Sequence, residues 1–263
     1  MKKTKKDIYK EFGIEFQDGK ILAPEFGLIN PLLINGNAKL GKGVYTFSIL
    51  AGNALKTYTI NGKEYELLAT CPCNCPGCYA QNGCYRFPSC KESLARKTFL
   101  VRNFPEFVRN AIIAQIKADK IKLCRIHAAG DFYGLEYVKV WKDICAACPD
   151  CVFWGYTKFQ AAEKAFQAVP NCNIVKSVLP GGTGFNFGTC EYILRAYAAL
   201  KEAGKAVYIC RCGIDKMQHC SNCKGCSKNE FVLFIEHGTA YDPASDPLFP
   251  VLRDIIEKQA RPE

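Results

Sequence analysis

The chain has 263 residues, 17 of them cysteine, with 49% hydrophobic residues and a formal net charge of +10. That length buries a core without disulfides, and the balance of apolar and charged residues excludes a disordered or fibrous protein. No run of 18 apolar residues is present, so we expect no membrane span. No apolar segment follows the charged residues 1–6, so we expect a cytoplasmic protein without a signal peptide. Thiols stay reduced there, which favours metal binding over disulfides.

Residues 1–66 are predicted to be a β-rich extension, with strands over 43–50 and 57–60 and a tight turn at Asn61–Gly62. From 67 to 240, short apolar runs alternate with helical patterns. The predicted strands are Tyr65–Ala69, Lys122–His127, Val152–Tyr156, Asn173–Leu179, Ala206–Cys210 and Phe231–Glu236. The predicted helices are Ser93–Asp119 (interrupted at Pro105), Leu135–Ala147, Gln160–Val169 and Cys190–Ala203, with a helical tail over 241–263 that contains Leu248–Gln259.

Six strands that alternate with helices predict an α/β fold with parallel strands and right-handed crossovers. An open doubly wound sheet and a partial barrel both fit this pattern. In either architecture, ligands bind at the C-terminal ends of the strands. Five chemically distinctive segments directly follow predicted strands, so we expect them to lie together: Cys71, Gly130–Asp131, Thr157–Lys158, 180–182 and Cys210–Cys212.

One short loop carries three cysteines with C-x3-C-x2-C spacing, Cys71, Cys75 and Cys78. Thiolates are soft ligands that suit iron–sulfur clusters and zinc. Three thiolates on a four-iron cluster leave one iron open to a small molecule, which indicates an enzyme. Cys73 lies inside the same loop, and four thiolates would instead close a structural zinc site.

This loop resembles the signature of the radical S-adenosylmethionine (SAM) superfamily, in which the motif follows the first strand of a (β/α)6 partial barrel. The resemblance implies a [4Fe-4S] cluster on Cys71, Cys75 and Cys78, with SAM on the fourth iron. Gly130 and Asp131 match the last two positions of the family's Gly-Gly-Glu motif, which implies that they bind the SAM ammonium. An ordinary strand-to-helix turn is the alternative for these two residues.

Three more residues stand at or near predicted strand ends, Thr157, Lys158 and Ser177. The resemblance implies that they bind the methionine carboxylate or the ribose of SAM. Capping of helices is the alternative role. His127 is open to two interpretations, a ligand or acid–base group on the one hand and a core histidine on the other.

A narrower resemblance covers most of the chain. Its segments are Asn-Ala-Lys-Leu-Gly-Lys-Gly at 37–43, Cys-Pro-Gly-Cys-Tyr-Ala at 75–80, Ile-His-Ala-Ala-Gly-Asp-Phe at 126–132, Trp-Gly-Tyr-Thr-Lys at 154–158, and a late cysteine group. Together they are similar to the phage gene-product-88-like family. This resemblance implies a phage or prophage context but no substrate.

The late cysteine group has C-x2-C-x2-C spacing at Cys220, Cys223 and Cys226, and Cys210 or Cys212 is available as a fourth ligand. Four thiolates close a site, so we expect an auxiliary [4Fe-4S] cluster near the mouth of the barrel, with structural zinc as the alternative.

The C-x2-C-x2-C spacing recurs earlier in the chain, where no fourth ligand is evident nearby. We interpret the three cysteines of this repeat as structural thiols, with a third metal site as the alternative, and three isolated cysteines as small buried hydrophobic residues. The residues are Cys145, Cys148 and Cys151 in the repeat, and Cys124, Cys172 and Cys190 as the isolated ones.

Together these patterns predict a radical SAM enzyme that takes electrons from an external one-electron reductant of the flavodoxin or ferredoxin class. The basic charge makes nucleic acid, a nucleotide or a peptide the expected substrate. The competing hypothesis is a non-catalytic nucleic-acid-binding protein whose fold is stabilised by zinc or iron–sulfur sites. An electron-transfer protein without affinity for SAM is a third.

Overall fold

The computed structural model describes residues 3–36, 40–73, 75, 78–178, 186–211, 219–223, 225–235 and 242–259. Its helices are α1 (Lys5–Glu11), α2 (Pro88–Asn103), α3 (Pro105–Asp119), α4 (Leu135–Ala147), α5 (Gln160–Phe166), α6 (Cys190–Glu202), α7 (Cys220–Cys223) and α8 (Phe249–Gln259). Its strands are β1 (Phe16–Gln17), β2 (Lys20–Ala23), β3 (Gly27–Ile29), β4 (Ile34–Asn35), β5 (Val44–Phe47), β6 (Leu55–Ile60), β7 (Lys63–Leu68), β8 (Leu123–Ile126), β9 (Val152–Thr157), β10 (Cys172–Lys176), β11 (Phe187–Gly188), β12 (Val207–Ile209) and β13 (Phe231–Ile235).

The principal sheet has the strand order β10-β9-β8-β5-β4. Strands β5, β8, β9 and β10 are parallel neighbours, whereas β4 pairs antiparallel at the edge. Side chains that alternate along a strand face opposite sides of a sheet. On one side, Phe47, Ile126 and Phe153 are fully buried in the largest apolar core, together with Ile112 of α3 and Trp141 of α4. The α/β fold class is therefore correct.

The first parallel strand is β5, so the prediction that this strand is Tyr65–Ala69 is wrong. That segment lies largely in β7, which pairs antiparallel with β6 in a hairpin closed at Asn61–Gly62. Both turn residues have positive φ, as expected of an Asn-Gly hairpin turn. The hairpin is inserted between β5 and the cysteine loop, and the parallel sheet begins within residues 1–66.

A second parallel sheet has the order β11-β13-β12, so the last strand in the chain is its middle strand. It has an apolar core of its own, which includes Ile193 of α6 and Leu252 of α8. Asn186 links this sheet to the end of β10. Its N–H donates to Ser177 O at 3.2 Å, and its own carbonyl accepts from the N–H of Phe234 at 2.8 Å.

The predicted interruption at Pro105 is confirmed. Helix α2 ends at Asn103, and the N–H of its C-cap residue Phe104 still donates to Leu100 O. Pro105 begins α3, because its ring and missing N–H are tolerated in the first turn of a helix. Residues 179–182, Cys212 and Glu236 fall outside the described residues. Among the helices that are described, none combines the length and the apolar composition that crossing a bilayer requires.

Candidate metal and cofactor site

The loops that follow β5, β7, β8 and β9 meet at the C-terminal edge of the principal sheet. Ile49 N–H donates to Ala129 O at 3.0 Å, and Thr70 N–H donates to Leu50 O at 3.1 Å. The Thr70 hydroxyl, itself buried, donates to Leu50 O at 2.7 Å and accepts from Asp131 N–H at 3.1 Å. These bonds join three loops that are distant in sequence.

Gly130 packs against the two loops that carry Ile49 and Thr70. Its φ is +85°, and a Cβ atom there would lie 2.5 Å from Ile49 Cγ1 and 2.8 Å from Thr70 Oγ1. Real Cβ atoms do not approach other atoms so closely, and a positive φ strains any L side chain. Glycine is therefore required by the packing of the loops.

Asp131 connects the loop after β8 to the loop after β9. Its Oδ1 accepts from the Thr157 hydroxyl at 2.6 Å and from Phe132 N–H at 2.7 Å, and its Oδ2 accepts from Lys158 N–H at 2.8 Å. The residue is 3% exposed. Burial raises the pKa of the carboxyl group, while these three hydrogen bonds act in the opposite direction. Both oxygens are thus engaged by protein donors, so this carboxylate organises the sheet edge.

Cys71 is half-buried beside this network. Its N–H donates to Gly52 O at 2.8 Å, and its Sγ accepts from Gly52 N–H at 3.3 Å. Burial raises the pKa of the Cys71 thiol to about 12, the nearby Asp131 and Cys78 add to the rise, and the Gly52 N–H and Lys158 oppose it. A bound cation would reverse this effect, since coordination removes the thiol proton.

Lys158 brings a positive charge to the same loop, where its side chain is hydrogen-bonded to Cys75. Burial by itself would lower the pKa of Lys158, but Cys75, Asp131 and Cys71 together raise it above its usual value. Burial and the adjacent Cys75 raise the pKa of Cys73. The structure therefore places Cys71, Cys73, Cys75 and Lys158 together.

The donor set of this loop fits a thiolate-bound metal centre. Within the described part of the chain, no group of three or more His, Cys, Asp or Glu side chains has the arrangement of an assembled metal site. The loop residues 74, 76 and 77 are outside that part. Metal binding here would consequently need the thiols to turn toward a common centre.

A cavity of about 240 Å³ adjoins Cys71 and is lined by Arg102, Phe132, Tyr133 and Phe159 among others. The Arg102 guanidinium stacks 4.1 Å from the centroid of the Tyr133 ring and donates to Ala69 O at 3.5 Å. Its Nε has no hydrogen-bond partner among the described residues. Sequence reasoning missed Arg102, because an arginine in an amphipathic helix is usually a solvated residue.

The second cysteine group forms its own cavity of about 20 Å³, lined by Cys210, Cys220, Cys223 and Cys226 together with Trp154. It lies against a face of the principal sheet, because Trp154 of β9 lines the cavity and Asn173 of β10, which is paired with Trp154, donates from Nδ2 to Cys226 O at 2.8 Å. The described part of this group thus contacts β9 along its length, from Trp154 to Tyr156 near the strand's C-terminal end. Cys212 lies outside the described residues.

Two tyrosines contact these thiols. The Tyr156 hydroxyl donates to Cys226 Sγ at 2.6 Å, and the Tyr208 hydroxyl lies 3.1 Å from Cys223 Sγ. Burial raises the pKa of Cys226 to about 12, and the bond from Tyr156 acts in the opposite direction. The Arg125 guanidinium stacks over Tyr156, 5.2 Å from the ring centroid.

The backbone of the earlier C-x2-C-x2-C repeat surrounds the side-chain amide of Asn171. Asn171 Nδ2 lies 3.0 Å from each of the carbonyl oxygens of Cys145, Cys148 and Cys151. All three cysteines are buried, and the Cys145 side chain is hydrogen-bonded to Cys172. This arrangement satisfies the backbone of a tight connection, as expected of structural thiols.

Two further residues of interest lie near strand ends. His127 is buried on the helix-covered side, where its Nε2 is 2.7 Å from the Tyr137 hydroxyl, and burial lowers its pKa to about 3. It is a neutral core histidine. Ser177 is buried after β10, and its N–H donates to Thr157 O at 2.9 Å, so it adjoins the sheet edge.

Comparison with known proteins places these features in a family context. A family model described as Gene product 88 matches residues 31–180, which is more than half of the chain. The Gene 88 protein of Mycobacterium phage L5 is 46% identical over 41 residues, which are 16% of this chain and 17% of the relative. The aligned part of the chain thus spans about a sixth of that curated relative's length. No solved structure matches the chain.

Proposed function

We propose that this chain, which belongs to the Gene product 88 family, is a radical SAM enzyme. The observation that carries the proposal is the position of Cys71, beside Cys75 and Cys78 in the chain and next to a cavity of about 240 Å³. This is the C-terminal edge of a parallel sheet, where α/β enzymes bind their ligands. In this proposal the two parallel sheets are parts of one (β/α)6 partial barrel in a cytoplasmic protein.

Cys71, Cys75 and Cys78 would hold a [4Fe-4S] cluster. A cluster bound there would supply one-electron reduction of the SAM sulfonium, with the electron coming from a flavodoxin- or ferredoxin-class reductant, and the products would be methionine and a 5′-deoxyadenosyl radical able to take a hydrogen atom from the substrate. The family match extends over all three cysteines, which supports treating them as one functional unit.

Two neighbours of these thiols favour the thiolate form and oppose the burial that raises the pKa of Cys71. The Gly52 N–H donates to Cys71, and the Lys158 ammonium lies beside Cys71 and Cys75. Hydrogen bonds and a nearby cation both favour the anionic form of sulfur. Asp131 contributes indirectly. It accepts hydrogen bonds from the Thr157 hydroxyl and the Lys158 N–H, and these bonds hold the loop that carries Lys158 in place.

The cavity has the chemistry to bind a ligand with a planar ring and an anionic group. Phe132, Tyr133 and Phe159 supply aromatic walls, and Arg102 supplies a guanidinium. Arginine pairs with carboxylates through two parallel hydrogen bonds. Adenine and the methionine carboxylate of SAM have these two features. The excess of basic residues makes a nucleotide or nucleic acid the favoured substrate, with a peptide as the next choice.

The test is anaerobic incubation of the iron- and sulfide-reconstituted protein with dithionite and SAM, followed by assay of 5′-deoxyadenosine. Wild-type protein is expected to form it, and Cys75→Ala is expected to reduce its formation to background. Cys73→Ala is the matched control from the same loop, and it should retain both the iron and the product.

A second candidate follows from the contact between Cys73 and Cys75. Four thiolates in this loop would form a closed zinc site, and the chain would then be a metal-stapled nucleic-acid-binding protein. In that case purified protein holds zinc, forms no 5′-deoxyadenosine, and loses the metal equally in Cys73→Ala and Cys75→Ala.

A further inference from the structure

We propose that Cys210, Cys220, Cys223 and Cys226 bind a single tetrahedral divalent ion of the zinc class, and that Tyr156 and Tyr208 are positioning residues for two of the thiolates. This inference does not depend on SAM chemistry at the first cysteine loop. It also replaces the expected iron–sulfur cluster in the second group with a mononuclear site.

The ligand set comes from two separate parts of the chain. Cys220 and Cys223 lie in α7, and Cys226 follows in a short 3-10 helix. Cys210 arrives at the end of β12, where its N–H donates to Leu233 O at 2.8 Å. Four thiolates complete a tetrahedral structural site and leave no open position.

The four thiols, all of them among the described residues, are not arranged as an assembled metal site, so they would turn toward a common centre on binding, and the size of the space between them favours one ion. The four thiols line a cavity of about 20 Å³. A cavity slightly above 10–15 Å³ holds about one water-sized group. A zinc ion with Zn–S distances of about 2.3 Å fits that space, whereas a four-iron, four-sulfide cube needs considerably more.

The two tyrosines supply the outer contacts that such sites require. Tyr156 of β9 donates to Cys226 Sγ, and the Tyr208 hydroxyl of β12 is within hydrogen-bond distance of Cys223 Sγ. When a divalent ion binds, four thiol protons leave to solvent and the centre carries two negative charges. Hydroxyl donors to sulfur, with the Arg125 guanidinium over Tyr156, stabilise that charge.

The bound ion would hold the segment that begins at residue 219 against one face of the principal sheet, opposite to the face that α3 and α4 cover. Ser221 N–H donates to Leu40 O at 3.1 Å, and Asn173 donates to both Cys226 O and Asn229 O. Trp154 and Val44 of that face pack against Cys220 and Cys226. The segment held by the ion would thus cover the apolar side chains of this face, as helices cover those of the opposite face.

The experiment uses the full chain with Cys71→Ala, Cys75→Ala and Cys78→Ala combined, so that bound metal is attributable to the second group. We expect one zinc per chain, and cobalt substitution should give thiolate-to-cobalt charge-transfer absorption of a four-sulfur site. Tyr156→Phe and Tyr208→Phe should keep this stoichiometry and weaken zinc about tenfold each in competition with a chromophoric chelator. Tyr197→Phe, which lies on α6, is the matched control and should not change the affinity.

Two results would overturn the inference. About four irons and four sulfides per chain in this background, with no zinc, would show a cluster instead of an ion. Zinc affinity that is unchanged in both tyrosine variants would remove their positioning role. Cys226→Ala, which should lose the metal, is compared with Cys212→Ala, which should retain it. None of these measurements involves SAM, so absence of 5′-deoxyadenosine formation by the wild type would leave this site standing.

Discussion

At the scale of single residues, the candidate site depends on contacts between loops rather than on isolated catalytic groups. Asp131 accepts three hydrogen bonds from protein donors and is almost completely buried. Gly130 permits the close approach that makes this possible. The residues that the resemblance assigns to SAM binding therefore have a structural role that is independent of any ligand.

Gly130→Ala tests this role. The new Cβ would overlap Ile49 and Thr70 at a positive φ, so we expect a loss of about 2–4 kcal/mol in unfolding free energy, measured by urea denaturation. Gly134→Ala is the control, because no atom lies within 4 Å of the position that a Cβ would take there. Equal stability of the two variants would contradict tight packing at Gly130.

The sequence predicted some of these residues and missed others. The spacing of Cys71, Cys75 and Cys78 is a local pattern, so the sequence alone identifies these residues as candidate metal ligands. The sequence does not identify Arg102 as a residue of the site. Only the packing of α2 against the loop after β7 brings its guanidinium to Ala69 and Tyr133. Tyr156 likewise has no sequence signal that connects it to Cys226.

At the scale of elements, α2 contains a feature that opposes stability. Lys97 is 6% exposed, its Nζ lies 5.7 Å from the Phe47 ring centroid, and that nitrogen has no hydrogen-bond partner among the described residues. Burial lowers the pKa of Lys97 to about 8. An ammonium without a carboxylate partner in a core is costly, so this lysine destabilises the charged folded state.

The sign of the pH dependence follows from linkage. The pKa of Lys97 is about 8 in the folded chain and about 10.4 in an unfolded one. Between these values the unfolded chain binds more protons, so the contribution of Lys97 becomes more favourable as pH rises. The full cost is present below about pH 8 and is lost by about pH 10.5.

Lys97→Met is therefore expected to stabilise the protein at pH 7 by about 2–3 kcal/mol, and this gain should shrink toward pH 10. Urea unfolding under reducing conditions at both pH values measures it, and the difference from wild type cancels the titration of other groups. Lys91→Met, at an exposed position of the same helix, should change stability little at either pH. A gain that is equal at pH 7 and pH 10 would contradict the buried-ammonium account.

At the scale of the whole molecule, the chain has a large core under the principal sheet and a smaller one under the second sheet. The smaller core contains Ile193 of α6, Leu233 of β13, and Phe249 and Leu252 of α8. The C-terminal helix, predicted as part of a tail, thus supplies buried side chains to this second core.

Leu252→Ala tests whether the two cores open separately. Leu252 is fully buried, so its truncation should cost about 2–5 kcal/mol. Hydrogen exchange measured by mass spectrometry should show lost protection in α6 and β12–β13, with β5 and β8 still protected. Val251→Ala, at a 54% exposed position of α8, is the control. Uniform loss of protection across both sheets would indicate one cooperative unit.

The sequence by itself determined most of the helices, the α/β class and the sets of cysteines, because periodicity, proline and ligand spacing act over a few neighbouring residues. Tertiary structure decided that β5 and not β7 begins the parallel sheet, that β13 is the middle strand of the second sheet, and that Cys210 joins Cys220, Cys223 and Cys226. Those outcomes depend on which distant segments bury one another's apolar faces and pair their backbones. Such a choice is made by the packing of the whole chain, and no local spacing records it.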